Sequence, residues 1–168
     1  MDSYLERVHQ ALTRATHDIT AEQLTRHPEG KWCAAEILEH LALTYSGTVK
    51  TMERVLAAGK PLARRATLKE GIATALVVEA GHMPGGRQAP EMTRPSGLPP
   101  EQAVARIRDD FAAMDRILEQ CRERFGASVK VANHPILGPL SVQQWCKFHW
   151  VHTRHHMKQV ERLRREGA

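Results

Sequence analysis

Apolar residues recur at intervals of three and four along four long stretches of this chain, and that period fits a helix and excludes a strand. Over 2–17 the stripe is Leu5, Val8 and Leu12. From Cys33 to Ala58 it is Ile37, Leu41, Tyr45, Val49, Met52 and Leu56, and Gly59-Lys60-Pro61 stops it. A third stretch opens at Pro99-Pro100-Glu101, a good helix start, and runs to Phe125 with Val104, Ile107, Phe111, Met114, Ile117, Leu118 and Cys121 on one side. The last spans 142–166 behind Ser141, a residue suited to cap it, and its inner face is Trp145, Phe148, His152, His156, Val160 and Leu163. Strand-type alternation never lasts beyond a few residues. The expected fold is therefore all-α, an antiparallel four-helix bundle in a single domain over 1–168.

Between these stretches the punctuation is proline and glycine. Asp18 to Gly30 reads as a connection, and 67–80 reads as a short extra helix. Residues 81–100 are rich in both residues and lack a period, which predicts a long loop acting as a lid or a mobile connection. ASVKVANHPILGPL, leading to Ser141, reads as another loop.

A chain of 168 residues, 42% hydrophobic and 26% charged, has the balance of a globular protein with a real core. No stretch approaches the roughly 18 consecutive apolar residues of a membrane span. MDSYLERVHQ carries acids and starts an amphipathic pattern, unlike a signal peptide, so the expected location is cytoplasmic, with no membrane partner. Three separated cysteines, Cys33, Cys121 and Cys146, form no CxxC pair and are expected to be small buried residues in a reducing compartment. The net charge of +5 is spread along the chain, and the terminal RLRREG suits the end of a helix dipole. No nucleic-acid partner is expected.

Histidine is the unusual residue. Of ten, four (His149, His152, His155 and His156) fall within one short segment. His152 and His156 are four apart on a helix, so their rings lie one above the other, about 5–6 Å apart at Cβ, and both sit on the apolar stripe. Two imidazoles so placed can share a metal ion. His40, in the apolar register of the second helix, is the best third ligand. His149 lies one turn before His152 and is a neighbour or a replacement ligand, whereas His155 points about 100° away from His156. His9, His17, His27 and His82 have no partner pattern and read as ordinary surface or loop residues. Thr153 stands where the glutamate of HExxH would be, which argues against a metalloprotease of that type. The plain alternative is that these histidines are hydrogen-bonded core residues.

Two segments carry a resemblance. Trp32-Cys33-Ala34-Ala35-Glu36-Ile37-Leu38-Glu39-His40-Leu41 resembles the W-s-x-x-E-i-l-x-H-L segment of the DinB-like superfamily, and His152-Thr153-Arg154-His155-His156-Met157-Lys158-Gln159 is similar to its H-x-x-H-H-x-x-Q signature. Asn133 to Ser141, with Gln144-Trp145, looks like the approach to the last helix in one branch. Met157-Lys158 departs from the R-G that often precedes the glutamine. The resemblance implies a four-helix bundle of up-down-down-up type holding one divalent metal ion, zinc or nickel, on His40, His152 and His156. It also implies a homodimer, and an activity that uses a low-molecular-weight thiol on a small-molecule substrate.

Three readings follow. In an enzyme, three protein ligands leave one metal position open for a thiol or water used in transfer or hydrolysis. Arg154 or the loop 81–100 would hold an acidic co-substrate, and Glu36 or Glu39 would orient His40. A non-enzymatic or stress-related module would use the ion to stabilise the fold. A scaffold without metal would use the histidines as core.

Overall fold

The computed structural model of the protein describes residues 1–86 and 88–165. Arg87 in the loop 81–100, and the end of the last helix expected at Glu166, lie outside the described residues. The described chain is mostly helical, with one small two-stranded sheet. Four long helices form where the periodic stretches are: α1 over Ser3–Thr16, α3 over Ala34–Ala58, α5 over Pro100–Phe125 and α6 over Val142–Arg165.

Their ends follow local chemistry. Asp2 accepts from Tyr4 N–H and caps α1. Glu36 reaches back to Cys33 N–H at 2.9 Å to close the start of α3, and Gly59, at φ +67°, ends that helix. Ser141 caps α6 as expected: its Oγ accepts from Gln144 N–H while the Gln144 side chain accepts from Ser141 N–H. Short helix α2, Ala21–Thr25, occupies the connection after α1 and is closed by a Thr20–Gln23 capping box. The short extra helix expected over 67–80 is present as α4, Leu68–Thr74, continuing into a wider π turn over Ala75–Glu79.

The expectation of a purely helical chain needs one correction. Strands β1, Lys130–His134, and β2, Gly138–Ser141, pair antiparallel where a plain loop was expected. His134 faces Gly138 across the turn, Ala132 faces Leu140, and a bulge follows Lys130. The strands are short and all of β2 is buried, so neither shows a readable alternation. The hairpin is tied to the helical body by Thr74 Oγ1 donating to the Leu137 carbonyl and Leu62 N–H donating to the Val131 carbonyl.

The buried apolar residues of the long helices and the hairpin form one cluster. α3 lies against α5 and α1 against α6. Tyr45, Leu38, Leu41, Met52, Ile107, Met114 and Leu118 are among its largest fully enclosed side chains, and each apolar one contributes about 1.5–3 kcal/mol on leaving water. All three cysteines are free and buried, as expected of small apolar fillers. No described helix is long and apolar enough to cross a membrane.

Candidate metal centre

α3 and α6 bring His40, His152 and His156 together, although His40 is more than a hundred residues away from the other two. The Nε2 atoms of His40 and His152 are 3.2 Å apart, and those of His152 and His156 are 3.1 Å apart. One possible ligand atom from each ring lies within 4.8 Å of the others. Metal–nitrogen bonds of about 2.0–2.1 Å at tetrahedral angles would place the nitrogens about 3.3 Å from one another. The group therefore has the dimensions to hold an ion.

The far side of each ring decides where its proton sits. His40 Nδ1 is 2.7 Å from the Thr93 carbonyl oxygen, which can only accept, so the proton is on Nδ1 and the Nε2 lone pair points inward. His156 Nδ1 is 2.9 Å from Gln159 Oε1, while the Gln159 amide nitrogen is turned to His155 Nε2 at 3.2 Å. His156 is thereby held in the same tautomer. His152 Nε2 lies between these two lone pairs, and a single proton there can satisfy only one of them. A cation at the centre satisfies all of them together. His152 Nδ1 is buried without a hydrogen-bond partner among the described residues.

Electrostatics agree with neutral rings. Burial lowers the pKa of His40, opposed by its bond to Thr93. Burial, with His40 nearby, pushes His156 down to about 3, and burial with the neighbouring histidines pushes His152 well below its ordinary value. Metal binding needs neutral imidazoles, so no ring has to give up a positive charge at neutral pH, and His152 alone has to carry its proton on Nδ1.

The surroundings fix the rings further. Trp32 packs on His40 at 5.1 Å, and Phe148 lies parallel to His152 at 5.5 Å. His149 is not part of the group. It is fully buried behind it, with Nε2 3.0 Å from Thr48 Oγ1, beside the Tyr45–Thr153 hydroxyl pair at 2.6 Å. His155 lines the cleft next to the group, held by Gln159.

Neither carboxylate expected to orient His40 touches it. Glu36 caps α3. Glu39 is buried and accepts four hydrogen bonds from the loop, from Ser96 N–H, Ser96 Oγ–H, Gly97 N–H and Leu98 N–H. It thus secures the segment whose Thr93 carbonyl holds His40, so its influence on the ring passes through the backbone. Arg154 is likewise committed elsewhere, with Nη2 donating to the Gly81 carbonyl at 2.8 Å and the guanidinium over the Trp150 ring. Nothing in the sequence marked Thr93 as a partner of His40, since the contact spans a loop with no period. Gln159, given no role from the sequence, stands three residues beyond His156 on the same face of α6, a spacing from which the contact could have been found.

The three histidines open on a cleft of about 890 Å³. Its walls include Trp32, Ile72, Leu76, Ile136, Leu137 and Phe148, with His134 set into the hairpin side. His134 Nδ1 accepts from Ile136 N–H and Leu137 N–H, and burial brings its pKa down to about 4. His27, Cys33 and Glu36 also place possible ligand atoms within 4.8 Å of one another, but His27 is exposed and Glu36 is engaged as a cap.

Residues 5–163 match the family described as "Protein of unknown function (DUF1569)". No curated protein and no solved structure matches the chain.

Proposed function

The chain belongs to the DUF1569 family of proteins of unknown function, and we propose that His40, His152 and His156 bind one divalent metal ion, zinc or nickel, at the centre of a small-molecule enzyme. In this reading the three histidines would hold the ion, which would supply activation of a low-molecular-weight thiol or a water for transfer or hydrolysis. The observation that carries it is the pair of outer acceptors, the Thr93 carbonyl and Gln159 Oε1, which turn the Nε2 lone pairs of two rings inward onto a third. Second partners of this kind orient metal-bound histidines and raise their basicity.

Catalysis is favoured over a purely structural ion by the setting. All three rings line the cleft, so a ligand entering it can reach the fourth position. When bound, the ion lowers the pKa of a thiol or water placed beside it. The chain's own residues keep the rings neutral and oriented, and the apolar wall of Phe148, Leu76 and Ile72 thins water around the reacting atoms. The DinB-like resemblance of the Trp32–Leu41 and His152–Gln159 segments supports the same reading. With it go the up-down-down-up four-helix topology, the homodimer and the thiol co-substrate.

Cobalt-loaded protein titrated with a small thiol tests the open position. The expected result is a visible spectrum of tetrahedral cobalt with one ion per chain and a new thiolate-to-cobalt charge-transfer band. A cobalt spectrum that no thiol or other small ligand alters would mean a closed structural site.

A further inference from the structure

The acid–base composition of the cleft is lopsided. Asp and Glu supply 19 residues of the chain, yet among its described lining residues none is acidic. Four cations line it instead: Lys31, Lys69, Arg94 and Arg162. They come from four separate segments and line the same cleft as the histidines. Lys31 adjoins Trp32, which packs on His40. Arg94 adjoins Thr93, whose carbonyl holds His40, and Arg162 lies three residues beyond Gln159 on α6. Lys69 stands on α4, on the wall that carries Ile72.

Four carboxylates on these elements are turned to other partners. Glu36 caps α3, Glu39 holds residues 96–98, Glu70 takes Arg64, and Glu79 takes Gln144 and Lys147. Among the described residues Lys31, Lys69 and Arg94 form no ion pair. Among the described residues Arg94 donates only to the uncharged Ala89 carbonyl and Gln88 side chain. A cleft lined by one sign of charge between low-dielectric walls concentrates the opposite sign.

The inner surface is of the other kind. Ile72, Leu76 and Ile136 face the cleft and remain 62%, 46% and 47% exposed, large apolar areas left uncovered by the chain itself. Ile72 and Leu76 are one turn apart and lie on one side of α4 and its continuation. We propose that the cleft takes a small organic anion with an apolar body, its charged group held by Lys31, Lys69 and Arg94 at the rim and its body against Ile72, Leu76 and Phe148. The inference names the substrate class for the proposed metal centre and in that sense rests on that reading, but rim and wall belong to the chain and can be tested without the ion.

Isothermal titration of octanoate, octanol and octylammonium into both metal-loaded and chelator-treated protein separates the two claims, with bound metal measured alongside. The expected result is octanoate selected over both others in each form, and about tenfold weaker octanoate binding in the K69E/R94E double variant at unchanged metal content. Ile72→Asp, at an exposed position, should weaken octanoate as well. Equal binding of octanol, preference for octylammonium, binding of none of the three, or no effect of the charge reversals would overturn the inference. Metal-loaded protein that shows no anion selection would sink the substrate class and leave the metal centre standing. Anion selection by a protein that never takes up metal would do the reverse.

Discussion

Glu39 and His40 are adjacent on α3 and hold the same piece of loop from two sides. His40 gives its Nδ1 proton to Thr93, and Glu39 collects four donors from residues 96–98. Burial alone would raise the Glu39 pKa, but the Leu98, Ser96 and Gly97 bonds outweigh it and hold the carboxylate below its ordinary value of 4.5. A group lowered in the folded state contributes stability that is complete above its unfolded pKa and is lost as pH falls through the folded value. The loop should therefore stay ordered down to below pH 4.5, visible as protected amides at Gly97 and Leu98. Glu39→Gln turns an amide NH₂ toward backbone donors, and we expect a loss of about 2–4 kcal/mol in unfolding free energy. Metal affinity should fall roughly 10–100-fold in the same variant as the Thr93 carbonyl drifts from His40. Unchanged stability would mean that the loop is anchored elsewhere.

At the scale of elements, the long helices were legible because apolar residues repeat over many turns and caps mark the ends. Ser141 and Gly59 are the clearest cases. The hairpin was not legible, because Val131, Ala132 and Leu140 supply too few positions for a period and Pro139 obscures β2. Asn133-His134-Pro135 and Gly138 were the available turn signal. His152 and His156 could be paired from spacing on one helix, and His40 could be singled out from its register. The partners that orient the rings could be read only where they share a helix, as Gln159 does, and not across a loop, as with Thr93. Gly138 locks the hairpin onto α4: its φ is +71°, and a Cβ there would meet the Glu70 carboxyl carbon at 2.6 Å. Gly138→Ala should cost about 1–3 kcal/mol, lowering the melting temperature by roughly 2–4 °C per kcal/mol, with metal stoichiometry retained. An unaltered melting temperature would show that β2 adapts.

For the whole molecule the buried histidines set the response to acid. Burial takes His134 to about 4, and with nearby histidines it takes His149 and His156 to about 3, against an ordinary value of 6.5. In the unfolded chain these rings take up protons near pH 6.5, whereas folded they stay neutral. Metal-free protein should thus be most stable above pH 6.5 and weaken as pH falls from there toward 4. The slope is about 1.4 kcal/mol per pH unit for each ring that titrates only on unfolding. Denaturant melts at pH 7, 6 and 5 check this; a stability flat across that range would mean that the rings are already protonated in the fold. Bound metal adds to stability at neutral pH, by about 4 kcal/mol at a free concentration a thousandfold above Kd.

The most direct test of the account is the metal content of the purified protein after reconstitution, by elemental analysis, for wild type, His40→Ala and His152→Ala. One equivalent of zinc or nickel per chain, lost in both variants while each retains its helical circular-dichroism signal, is the predicted result. A wild-type protein that stays metal-free, or variants that hold as much metal as wild type, would contradict it and leave the three histidines as neighbours in a helical core.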